Sequence, residues 1–168
     1  MKKSKPNRNR MSGEGMDMST ICAEECFALD MEWYGVDRQG HIAVFCSAGE
    51  GNLPKFVCED RERADQLIEY FGGLKKSTGS VLLFPKTKRA EQVAREFSDR
   101  GLYYFDADDG TRPGISTLHK HYTQHSRPQI PLRCAELPGW VRELLRHQVM
   151  EIEDFSLENT VHVKHAYE

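Results

Sequence analysis

The sequence predicts an α+β fold: a single compact domain with a mixed, mostly antiparallel sheet and about three helices. Three observations predict it. The first is Trp33-Tyr-Gly-Val-Asp-Arg-Gln-Gly-His-Ile-Ala-Val-Phe45, in which two apolar, aromatic-rich runs flank the polar turn Asp37–Gly40. Asp and Gly favour tight turns and the flanking residues suit a pleated surface, so this is a β-hairpin. The second is a pair of helical stripes, Ala64/Leu67/Ile68/Phe71 and Ala90/Val93/Ala94/Phe97, each at i, i+3, i+4 and i+7. The third is a set of strand signals, the short apolar runs Ser80–Phe84 and Leu102–Phe105 and the rough alternation of residues 117–125.

Taken in order, residues 1–19 are polar and aperiodic and read as a flexible basic arm, with the α+β domain over residues 20–168. Residues 20–30 read as a short helix or irregular lead-in. Strands over about 31–36 and 41–47 form the hairpin, and Ser47–Pro54 is a loop broken by Gly49, Gly51 and Pro54. A helix runs from Glu59 to Phe71 and stops at Gly72-Gly73, where a left-handed terminal residue is expected. A second helix runs from Lys88 to Asp99, stopped by Gly101. Helix–strand–helix–strand order in this middle portion suggests a small parallel βαβ unit. Arg127–Pro131 is a proline-bounded connection. Leu137-Pro138 opens a third helix to about His147, with Val141, Leu144 and Leu145 facing the core. Strands near 150–155 and 159–164 complete the domain. Trp33 and Trp140 are expected in the core.

Composition narrows the function classes. With 39% hydrophobic and 29% charged residues in 168 positions, the chain has one core's worth of apolar side chains. No apolar run approaches the ~20 residues that span a bilayer, and the N-terminal stretch lacks the apolar segment of a secretory signal. The expected location is the cytoplasm, with no membrane contact. Five cysteines, none in a CxxC, are expected as free thiols, mostly buried. The net charge of −3 hides an asymmetry. Residues 1–10 carry Lys2, Lys3, Lys5, Arg8 and Arg10 and no acid; setting these five aside leaves 18 cations against 26 acids, so the rest carries −8. An acidic body repels nucleic acid and favours basic partners; nucleic acid is not expected except through the basic arm, which a short solvated tail explains better than a contact with RNA or DNA.

Few motifs carry chemistry. Asp106-Ala-Asp108-Asp109-Gly110 follows a strong strand. Carboxylates there can hold a divalent cation or act as acid and base, but the EF-hand pattern fails because its twelfth position is Thr117. A solvated turn or an acidic contact surface explains them more simply. His119 and His121 place two imidazoles on one side of a strand, a geometry that chelates zinc when a third ligand approaches; exposed strand histidines are the plain alternative. Gly49-Glu50-Gly51 matches no phosphate-binding loop and opens no helix. Lys86, Lys88 and Arg89 cluster at a helix start, where a solvated loop explains them better than an anion site.

The segments Trp33-Tyr-Gly-Val-Asp37, Gly40-His-Ile-Ala-Val-Phe45 and Gly51-Asn-Leu-Pro54 follow the pattern W-x-G-x-D-x-x-G-x-[IV]-A-x-F plus a glycine loop and proline. With Gly101-Leu-Tyr-Tyr-Phe-Asp106, Pro131-Leu132 and Glu136-Leu-Pro138, the chain resembles small uncharacterised bacterial α+β proteins over most of residues 31–140. Some of these sit beside secreted polymorphic toxins and are regarded as their immunity proteins. The SUKH immunity signature is not recognisable. The resemblance implies a fold and no catalytic residue.

The expectation is a cytoplasmic binding protein, most concretely an immunity protein that neutralises a cognate toxin by occlusion. Asp106, Asp108 and Asp109 are the expected contacts for a basic partner such as a nuclease, with no catalytic residues, cofactor or metal. The alternatives are a small metal-dependent hydrolase using Asp106, Asp109, His119 and His121, or a regulatory module whose basic arm binds nucleic acid.

Overall fold

The hairpin organises the domain. In the computed structural model, which describes residues 18–26, 29–49, 51–83, 87–107 and 121–168, β1 (Glu32–Val36) pairs antiparallel with β2 (Ile42–Cys46), from Glu32↔Cys46 to Val36↔Ile42. The turn works as its composition predicts. Gly40 takes φ +81°, and Asp37 Oδ1 accepts from the N–H groups of Gln39 (3.0 Å) and His41 (2.8 Å). Both strands are buried almost throughout, because both faces of the sheet are covered.

The helix predicted over Glu59–Phe71 is α3 (Arg61–Gly72); a short α2 (Lys55–Cys58), not foreseen, precedes it, and the break between them is Asp60, whose extended backbone lets its carboxylate accept from Arg63 N at 2.9 Å. Ala64, Leu67 and Phe71 of the predicted stripe are buried. The stop differs from expectation: Gly73 has φ −88° and closes the last turn with right-handed geometry, its N–H bonding back to Glu69 and Phe71 carbonyls. The next helix, α4 (Lys88–Ser98), is capped by Thr87 and ended by Gly101 at φ +91°. Its buried face is Ala94, Phe97 and Ser98, while Val93 is 38% exposed. The predicted stripe is therefore rotated. Ser98 takes the inner position because its hydroxyl bonds Leu102 O (2.9 Å) and Ser126 Oγ (2.7 Å).

The remaining strands are β3 (Ser80–Leu82), β4 (Tyr103–Asp106), β5 (His121–Pro128) and β6 (Thr160–His162). The strand order is β1-β2-β4-β5-β3, with β6 also on β5. Among the described strands β2 and β4 are directly paired and parallel; β3 and β4, joined through α4, also run parallel as expected, but β5 lies between them and pairs antiparallel with both, so the unit is split. Pro128, expected in a connection, ends β5 opposite Ser80, beyond the stretch paired with β4. The segment 150–155 is not a strand. It lies beside β1, linked by Met150 N→Val36 O and Arg38 N→Ile152 O, and passes into a 3-10 turn at Phe155–Leu157.

Helices α3, α4 and α5 (Gly139–Leu145) cover one sheet face, over Tyr34, Val44 and Tyr104. The opposite face carries Trp33, Phe45, Phe105 and Tyr122 under α2, the short α1 (Ala23–Cys26) and the C-terminal segment. Trp33 stacks on Phe45 at 4.0 Å and Phe45 on Phe105 at 5.0 Å. Trp140 is not in the core: it is 55% exposed and meets Tyr70 edge-on. No described helix is long and apolar enough to cross a membrane.

Candidate functional site

The parallel strands β2 and β4 end together, at Cys46 and Asp106, and sheets with parallel strands bind ligands outside such carboxyl ends. Register builds a row there. Glu32 lies opposite Cys46, Cys46 opposite Asp106, Asp106 opposite Thr123 and Thr123 opposite Thr160. Paired residues share a face, so a carboxylate, a thiol, a second carboxylate and two hydroxyls cross five strands in one line. Period two places Tyr34 and Tyr104 behind them on the same face. Tyr34 donates to Glu32 Oε2 (3.3 Å) and Tyr104 donates a short hydrogen bond to Asp106 Oδ2.

A β-bulge sharpens the arrangement. The β4–β5 register shifts between Tyr104 and Phe105, which pair with Ser126 and Gln124, so His125 is the extra residue. Its ring stands edge-on to Tyr104 at 5.4 Å.

The row is electrostatically one-signed. Burial, then the charges of Asp106, Glu32 and Asp30, push the Cys46 thiol well above its ordinary range. Cys46 is therefore a protonated thiol rather than an activated nucleophile. Burial pushes the Glu32 carboxyl above its ordinary 4.5, partly offset by the Tyr34 hydroxyl and Arg100. The Tyr104 phenol is raised by burial, then by Cys46 and Asp106, so it stays a donor. A raised carboxyl binds its proton more tightly folded than unfolded, so stability falls as pH rises from 4.5 through the folded value. Glu32→Gln removes that loss. Urea unfolding across that interval is expected to show the variant more stable at neutral pH, with a flatter pH dependence; an unchanged slope would put Glu32 in solvent.

A second cluster lies at the opposite end of β2. Among the described residues, Asp37, His41 and Asp154 form the group whose three possible ligand atoms lie within 4.8 Å of one another. His41 Nδ1 sits 3.1 Å from Asp37 Oδ2 and 3.6 Å from Asp154 Oδ1. Asp37 is committed to the fold, however. Its Oδ1 takes two turn N–H groups and its Oδ2 takes Phe155 N at 2.8 Å, so its lone pairs already face donors. Burial acts to raise the Asp154 carboxyl, but hydrogen bonds from Ser156 and the nearby His41 and Arg133 hold it below its ordinary value. This is a largely buried polar knot tying the hairpin turn to the segment around Phe155.

Of the residues expected at the site, Asp106 is in the row, while Asp108, Asp109 and His119 lie outside the described residues, as do Lys86 and residues 1–17 of the basic arm. His121 is exposed on β5, its ring 4.9 Å from that of His162, its partner on β6. Sequence reasoning missed Glu32 and Cys46, whose only advance signal was that both are polar-capable strand ends flanking the hairpin. It also missed the Asp37–Phe155 link, which joins residues 118 positions apart. Compared with protein-family models, curated proteins and solved structures, the chain matches none.

Proposed function

We propose that the protein is a cytoplasmic binding protein whose acidic rim receives a basic protein partner, most concretely an immunity protein that neutralises a cognate bacterial toxin. The observation that carries the reading is the register that sets Glu32 and Asp106 on either side of Cys46 at the strand ends, where their charges and that of Asp30 add to burial in raising its thiol. The body's charge of −8 has the same sign. Such a rim complements a groove lined with lysine and arginine, as a nuclease uses for phosphates, and filling that groove denies it to substrate. Asp108 and Asp109 follow Asp106 in the sequence and add two further carboxylates to it.

The test starts with affinity capture from the native host. The reading requires a basic protein that is toxic when expressed alone and harmless when co-expressed. A triple variant, Asp30→Asn/Glu32→Gln/Asp106→Asn, keeps shape and removes three charges. It is expected to fold and to associate with that partner about tenfold more slowly at low salt, with a shallower salt dependence. Association at the same rate, equally salt-dependent, would remove the rim from the interface. A captured partner that is acidic or non-toxic would overturn the immunity reading itself.

A further inference from the structure

Two cysteines from separate segments meet on the sheet face that carries Trp33 and Phe45. Cys26, the last residue of α1, places its Sγ 3.4 Å from the Sγ of Cys58, the last residue of α2. Both are nearly inaccessible, at 4% and 3% exposure. The segments that carry them are already registered on each other. Ile21 N donates to Cys58 O (2.8 Å), Arg61 N donates to Ser19 O (2.8 Å), and the Arg61 guanidinium pairs with Glu25 at 2.6 Å. The Tyr167 hydroxyl adds a hydrogen bond to Ile21 O. No other described element separates the two sulfurs, which sit at hydrogen-bonding distance.

We propose that Cys26 and Cys58 are a disulfide site, which a dithiol-oxidising agent of the glutathione-disulfide class converts into a covalent staple between the N-terminal segment and α2. A disulfide needs the sulfurs at about 2.05 Å, so each must move by well under 1 Å, within reach of a small side-chain rotation. The exchange balances in two steps. A Cys26 or Cys58 thiolate attacks one sulfur of the oxidant, forming a mixed disulfide and expelling one glutathione thiolate. The second cysteine attacks the protein-bound sulfur and expels the other glutathione. Two protein thiols are oxidised, one oxidant disulfide is reduced to two thiols, and the two protons pass to the leaving thiolates. Burial raises both thiols above their ordinary range, Cys58 further, so the reaction waits on local opening of the four-residue α1. The bond spans 32 residues of sequence, the range in which a cross-link restricts the unfolded chain appreciably.

The experiment incubates the full chain, folded, with oxidised glutathione, then counts thiols after denaturation and maps the linked peptides. The expected result is a fall from five free thiols to three, one linked pair containing Cys26 and Cys58, and a thermal midpoint raised by about 5–10 °C and restored by dithiothreitol. Cys22→Ser is expected to start from four thiols and still lose two, with the same linked pair and the same rise, and Cys58→Ser to abolish the rise. Five thiols remaining after prolonged oxidation would overturn the proposal. So would a mapped bond joining Cys22 to either partner, or one joining two molecules. These readouts need only the wild-type chain, so they stand even if a serine variant folds poorly.

Discussion

Replacing Asp37 with alanine is expected to destabilise the domain by about 3–5 kcal/mol. The carboxylate is 2% exposed and accepts from Gln39 N, His41 N and Phe155 N, with the His41 ring at 3.1 Å. Alanine strands these donors, and each buried unsatisfied group costs about 1–3 kcal/mol. Partial access to water at the turn keeps the total below the simple sum. Asparagine separates the two halves of the role. Its one carbonyl oxygen can keep the turn hydrogen bonds, but its amide cannot accept from Phe155, so Asp37→Asn is expected to cost about 2 kcal/mol. Urea denaturation of both variants measures this. Equal losses would mean the Phe155 link carries nothing, and a loss under ~0.5 kcal/mol for alanine would reduce Asp37 to an ordinary surface turn residue.

Leu67→Ala is the second large effect, at about 2–5 kcal/mol. Leu67 is 0% exposed on α3, in the cluster with Tyr34, Phe71, Val141 and Leu145, where α3 and α5 meet the sheet. Truncation leaves a void bounded by two helices and β1, elements that cannot close on it without moving together. The loss is expected in the denaturation midpoint with the slope unchanged. A small loss, under ~0.5 kcal/mol, would mean that α3 is peripheral.

What could be read in the sequence was local. The hairpin follows from Asp37 and Gly40, and the spans of α3 and α4 from apolar spacing with glycine punctuation, because short-range sterics and burial decide them. The motif around Trp33 also has a plain explanation. Trp33 and Phe45 stack in the core, Ala43 has no exposure, and a Cβ on Gly35 would collide with Met150 Sδ. Its residues serve packing and the turn. What was hidden was long-range. Inserting β5 between β3 and β4 is a pairing choice among chain-distant strands, and no local signal encodes it. The row from Glu32 through Cys46 to Asp106 exists only once two registers are set. Val93 and Trp140 misled because apolar character alone does not say which side of a helix faces the core. Ser98, a polar residue, takes the inner place by satisfying its hydroxyl.

The link from Asp37 to Phe155 bears on the order in which this chain emerges during synthesis. The two residues are 118 positions apart, and Asn52 likewise donates to Val163 O across 111. At about 5–20 residues per second, a ribosome makes the hairpin roughly 6–24 s before the residue that fastens its turn. In that interval Trp33 and Phe45 stand without the Phe155 side of their pocket, so the nascent hairpin presents an aromatic surface to whatever binds such surfaces in the cell. Commitment to the native state is thus postponed until Phe155 has emerged, and chains interrupted before it are released with that surface open.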